Sequence, residues 1–111
     1  MKEIEITMER MNLLEGYASS CQYEVLAKIE YPKGYEGRRK LCDLYSLKKE
    51  EFLDVDKVVV YYLIWCTGNS YISEYEINDL SELEECTSQY ADSISIMEVD
   101  GEKIMFVYDI H

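Results

Sequence analysis

Four cysteines, one histidine and 23 acidic side chains are the groups in this 111-residue chain from which a nucleophile, a general base or a metal site would be drawn. Cys21, Cys42, Cys66 and Cys86 lie about twenty residues apart without a C-x-x-C pair, and the one histidine is the terminal His111, so zinc-ligand spacing is absent. A lone terminal imidazole does not complete a Cys or Ser triad. None of the G-x-S-x-G, G-x-G-x-x-G or G-x-x-x-x-G-K-[ST] patterns occurs among the five glycines. Glu74 and Glu76 would project from one face of a strand, roughly 6.5 to 7 Å apart. Such a pair can do acid/base work only inside a pocket, and a solvated strand face offers none. Asp54-Val55-Asp56 and Asp100-Gly101-Glu102 fit ordinary turns rather than a D-x-[DN]-x-[DN]-G calcium loop. The residues point to a protein that is not an enzyme, holds no cofactor or metal, and acts by binding.

Charge is the most informative feature. Net charge is −12, and its distribution is one-sided: residues 1 to 57 carry 12 acids and 10 bases, residues 58 to 111 carry 11 acids and one base, Lys103. Soluble surfaces normally intersperse both signs. With Tyr71, Tyr75 and Ile77 pointing inward, Glu74 and Glu76 would project outward, followed by Asp79, Glu82, Glu84 and Glu85 at the start of a helix. Such a ladder resembles a row of phosphates in sign and in order of spacing. It repels nucleic acid and attracts proteins that bind nucleic acid. The bland alternative is that Asp79 and Glu82 stabilise a helix N-terminus and the remaining acids serve solubility. The basic cluster Lys33, Arg38, Arg39 and Lys40 reads as a solvated loop that balances the acids of its own half.

The elements that must position these side chains follow from periodicity and turn chemistry. Ile4, Met8, Met11 and Leu13 or Leu14 recur at helical spacing, and Thr7 as N-cap predicts a helix from about 8 to 17 behind a short strand. Tyr23 to Tyr31 alternates apolar and polar with a single break at Leu26, which predicts an amphipathic strand. The turn residues from Pro32 to Gly37 then return Lys40–Ser46 as its hairpin partner. Leu47 to Asp54 reads as a short helix capped by Ser46. Val58 to Trp65 is β-branched and aromatic on both faces, the signature of a central strand. Thr67 to Ser70 closes a hairpin into Tyr71–Ile77. Asp79 and Glu82 form a capping box for a helix from about 80 to 90, and Asp100-Gly101 joins the last two strands. The expected class is α+β, a mostly antiparallel sheet of about five or six strands built from hairpins, with two or three short helices packed on it, over residues 1–111 as a single compact domain.

Hydrophobic content of 48% with 11 tyrosines excludes the composition of a disordered chain. The acidic N-terminus lacks the apolar core of a signal peptide, which predicts a cytoplasmic protein with reduced, mostly buried thiols. Tyr17, Tyr35, Tyr71, Tyr75 and Tyr90 are the tyrosines expected at the surface, where such rings anchor interfaces. The functional expectation is a small acidic inhibitor that occupies the basic nucleic-acid-binding or substrate groove of a partner, by the logic of DNA mimicry seen in phage anti-restriction and anti-CRISPR proteins, and located in the host cytoplasm if phage-encoded. Glu74, Glu76, Asp79, Glu82, Glu84 and Glu85, with Tyr71 and Tyr75, are the expected contact residues. The partner is a basic protein, a nucleic-acid-binding protein or nuclease, with no direct nucleic-acid binding and no membrane. An immunity protein or antitoxin against a basic nuclease toxin uses the same electrostatics. A homo-oligomeric structural subunit, packed through its tyrosines, is the alternative from another class.

Overall fold

Thr7 caps a helix as its sequence context predicts. Its Oγ1 accepts the Arg10 N–H at 3.1 Å, and its carbonyl accepts the Met11 N–H at 2.9 Å. The computed structural model, which describes residues 2–19, 25–30, 39–40, 55, 57–64, 66–77, 82, 90–91 and 93–110, runs helix α1 from there over Met8–Ser19, behind strand β1, Lys2–Ile4. The further strands are β2 (Val25–Glu30), β3 (Arg39–Lys40), β4 (Lys57–Ile64), β5 (Asn69–Glu76), β6 (Tyr90–Ala91), β7 (Ser93–Val99) and β8 (Glu102–Ile110).

Six of these strands form one sheet in the order β1-β5-β4-β8-β7-β2, and β3 pairs separately with β6. The sheet is mixed. β4 and β5 are an antiparallel hairpin, as are β7 and β8, but the two hairpins meet through a parallel β4–β8 pairing that runs from Lys57↔Ile104 to Leu63↔Ile110. The fold is therefore α+β with a mixed sheet rather than a sheet of hairpins alone. Among the described residues α1 is the one continuous helix. In the predicted second helix Glu82 is helical, but Tyr90 already belongs to β6, so that helix ends earlier than the periodicity suggested. The rest of that stretch lies outside the described residues, as does the short helix expected over 47–54.

Burial explains why β4 and β8 take the centre. Val58, Val59, Ile104, Met105, Phe106 and Val107 are all buried, so consecutive residues of both strands face apolar surroundings on opposite sides of the sheet. On the helix side Leu14, Val59, Met97, Val99, Ile104 and Phe106 form a core cluster, flanked by Ile6, Leu13, Tyr17, Ala18, Ile72 and Tyr108. α1 thus buries a stripe through Leu14, Tyr17 and Ala18, rotated away from Met8, which is 70% exposed. Tyr17, expected at the surface, packs against this cluster because it lies one turn from Leu14 on the buried stripe.

The pairing adds contacts that the hairpin reading did not include. β2 pairs with β7, and Arg39–Lys40 pairs with Tyr90–Ala91 rather than with β2, while residues 41–46 of the expected hairpin partner lie outside the described residues. The break at Leu26 has a physical cause: Val25 faces Met97 and Ala27 faces Ile96, so Leu26 is the extra residue of a β-bulge. At the β7–β8 turn Asp100 and Gly101 both have positive φ, 51° and 83°, the conformation of a type I′ turn. No helix among the described residues is long and apolar enough to cross a membrane.

Candidate functional site

The register of β5 decides where its carboxylates point. Val59 lies opposite Glu74 and Tyr62 opposite Tyr71, so Ser70, Ile72, Glu74 and Glu76 share the face that carries α1, while Tyr71, Ser73 and Tyr75 share the other. This reverses the sequence expectation. Glu74 is 2% exposed, and its Oε2 accepts a hydrogen bond from Arg10 Nη2 at 2.8 Å, closing a salt bridge between β5 and the inner face of α1. A carboxylate held in this way is a structural group and does not present itself to a partner. Tyr71, which the strand parity turned inward but which was also among the tyrosines expected at the surface, is 59% exposed and meets Tyr62 at a tilt with ring centroids 6.1 Å apart.

At the end of the sheet near the β7–β8 turn, charges alternate in sign from strand to strand. Lys2 of β1 lies opposite Glu76, Glu76 opposite Lys57, and Lys57 Nζ reaches Glu102 Oε2 of β8 at 2.9 Å. The hydrogen bond from Lys57 holds the Glu102 carboxyl below the usual carboxylate range, against a smaller opposing effect of burial, and the positive charges of Lys57 and Arg10 add to the lowering. Beyond this row Glu98 of β7 lies opposite Lys103 of β8.

Of the eight expected contact residues the structure brings few together. Glu76 and Tyr71 are exposed, on opposite faces of β5; Tyr75 and Glu82 are half-buried; Glu74 is buried; Asp79, Glu84 and Glu85 lie outside the described residues. The exposed carboxylates instead include Glu3, Glu5 and Glu9 from the N-terminal segment, with Glu98, Asp100 and Glu102 around the last hairpin. Among the residues whose exposure is described, the exposed cations are Lys2 and Lys103. Arg10 and Lys57 are withdrawn into ion pairs with Glu74 and Glu102. Arg10 itself was legible as the one base in α1, placed at the spacing of Leu14 and Tyr17 on the buried stripe, but nothing local in the sequence linked it to Glu74.

Tyr108 donates from its phenol to the Ala18 carbonyl at 3.2 Å and meets Tyr61 edge-on at 5.9 Å, tying the C-terminal end of α1 to the sheet. Burial pushes its phenol above the ordinary value, a hydrogen bond with Ser95 opposes the shift, and Tyr61 adds to it. Asp109, which no sequence motif marks, is 2% exposed on the sheet face away from α1. Cys66 is exposed and free, against the expectation of a buried thiol; the other three cysteines lie outside the described residues. No group of three or more His, Cys, Asp or Glu side chains suited to a metal ion occurs among the described residues. Compared with protein-family models, curated proteins and solved structures, the chain matches none.

Proposed function

We propose that this protein acts by binding, as a small acidic inhibitor that occupies the basic nucleic-acid-binding or substrate groove of a partner protein, in the manner of a DNA mimic. The observation that carries this reading is the fate of the cations. Arg10 is spent on the buried Glu74 and Lys57 on Glu102, and among the residues whose exposure is described the other exposed acids, Glu3, Glu5, Glu9, Glu76, Glu98 and Asp100, outnumber the exposed cations Lys2 and Lys103. A surface of that kind raises the encounter rate with a basic partner, and the attraction weakens as salt screens it.

The exposed acids differ from those expected from sequence: Glu76 stays among them on the face that carries α1, Glu74 leaves, and Glu3, on the opposite face, joins with Glu5 and Glu9. Capture from a lysate by the immobilised chain, beside a variant with Glu3, Glu5, Glu9 and Glu76 changed to Lys, tests this reading. Basic nucleic-acid-binding proteins retained by the native chain and lost from the variant support it. Recovery of the same proteins by both would sink it.

A further inference from the structure

β1 covers only part of the outer edge of β5. Their pairing spans Lys2↔Glu76, Glu3↔Tyr75 and Ile4↔Glu74, after which the chain leaves the sheet, because Ile6 packs against the core cluster and Thr7 starts α1. From Asn69 to Ser73 the outer edge of β5 has no strand partner among the described residues. That segment spans roughly 17 Å at strand rise, and alternate residues along it turn their N–H and C=O groups outward. Natural edge strands are commonly blunted by charge, proline or a bulge. Asn69-Ser70-Tyr71-Ile72-Ser73 contains neither a charged residue nor a proline.

Beside this edge, under α1, run two adjoining clefts of about 390 and 220 Å³ that share Met11, Ile72 and Ser73. Ile4 and Ile6 add apolar wall at one end, and Tyr71 lines the other. Among the described residues the charged ones lining them are Glu3, Glu5 and Glu15, with no Lys or Arg. A strand edge that the described residues leave open, beside an apolar cleft, is the arrangement to which an extended peptide adds as a strand, its backbone on the edge and its alternate side chains in the cleft. The acidic rim selects the occupant. A second copy of the chain, paired by symmetry, would bring Glu3, Glu5 and Glu15 of both copies together, whereas a basic segment neutralises them.

We propose that Asn69–Ser73, with the cleft under α1, is a docking edge for an extended segment of a partner protein that alternates apolar and basic side chains and continues the line of β1. The basic character of the occupant rests on the function proposed above; the strand-pairing mode does not.

The test uses blocked peptides of about seven residues with Val at alternate positions and Lys, Ser or Glu at the others, titrated into the isotope-labelled full chain and followed by its amide spectrum. The Lys peptide is expected to shift and protect the amides of 69–73, with the Ser peptide weaker by roughly tenfold and the Glu peptide weaker still. Of two Lys peptides N-methylated on alternate backbone nitrogens, one should bind and the other should not, because only one set of N–H groups faces the sheet. Changing Glu5 and Glu15 to Lys should reverse the order of the Lys and Glu peptides while leaving amides elsewhere in the spectrum in place. The proposal is overturned if the Lys peptide fails to bind at about 1 mM, if both methylated isomers bind like the parent, or if the free chain dimerises with 69–73 protected. Peptide binding as expected, combined with unchanged lysate capture by the variant with four Lys substitutions, would remove the inhibitor reading and leave the docking edge standing. The opposite pair of results would remove the edge alone.

Discussion

Breaking the Arg10–Glu74 pair from its two sides should have unequal effects. Glu74 is 2% exposed and its partner Arg10 is 23% exposed, so the carboxylate is committed to the interior while the guanidinium has a route to water. Arg10→Met strands an ionised or newly protonated carboxyl beneath α1, and a stranded buried charge costs about 3 kcal/mol. Glu74→Met frees the guanidinium to turn outward, with an expected cost of about 1 kcal/mol, in the range of a lost charge-assisted hydrogen bond. The double substitution replaces the pair by apolar atoms of similar volume and should return to within about 1 kcal/mol of the native chain. Urea denaturation of the four proteins gives the cycle directly, and the Arg10 variant should melt roughly 10 to 20 °C lower. Equal effects from the two single substitutions, or a double variant whose loss is their sum, would refute the reasoning. The same geometry implies that Glu74→Lys reports on folding rather than on binding.

Two other perturbations follow from the packing. For Tyr108, burial raises the folded phenol above the unfolded one, so its contribution to stability is fully present below about pH 10, where the unfolded tyrosine starts to ionise, and is lost as pH rises through the raised folded value. Tyr108→Phe should therefore lose stability less steeply than the native chain across that alkaline window, as read by denaturation at a series of pH values; parallel curves would contradict the assignment. At Gly101, where φ is 83° and a Cβ would meet nothing within 4 Å, Gly101→Ala should cost about 1 to 2 kcal/mol from backbone strain alone. A neutral result in thermal unfolding would show that the turn relaxes to another type.

What could be read from the sequence was mostly local. Thr7 fixed the start of α1, Asp100-Gly101 fixed the β7–β8 turn, and the doubly apolar run from Val58 placed β4 at the sheet centre. The parallel pairing of β4 with β8 was hidden because apolar residues on both faces show that a strand is covered without showing which way its neighbour runs. The bulge at Leu26 was visible only as a break in alternation. Glu74 was misplaced because β5 offers two parities, Tyr71 with Tyr75 or Ile72 with Glu74, and the aromatic set looked like the buried one. The observed choice depends on Arg10, 64 residues away, which makes the interior position of an acid tolerable. The acid-rich second half likewise suggested one continuous strip, whereas Lys2 and Lys57 from the first half intersperse among its carboxylates at the sheet end.

The proposed function requires that the protein compete with nucleic acid for a basic surface. Titrating the chain into a preformed complex of its captured basic partner with labelled nucleic acid, at salt from about 50 to 500 mM, measures that competition. Release of the nucleic acid in proportion to added chain, weakening as salt rises, is the predicted result. A stable three-component complex that keeps its nucleic acid at every salt concentration would contradict it.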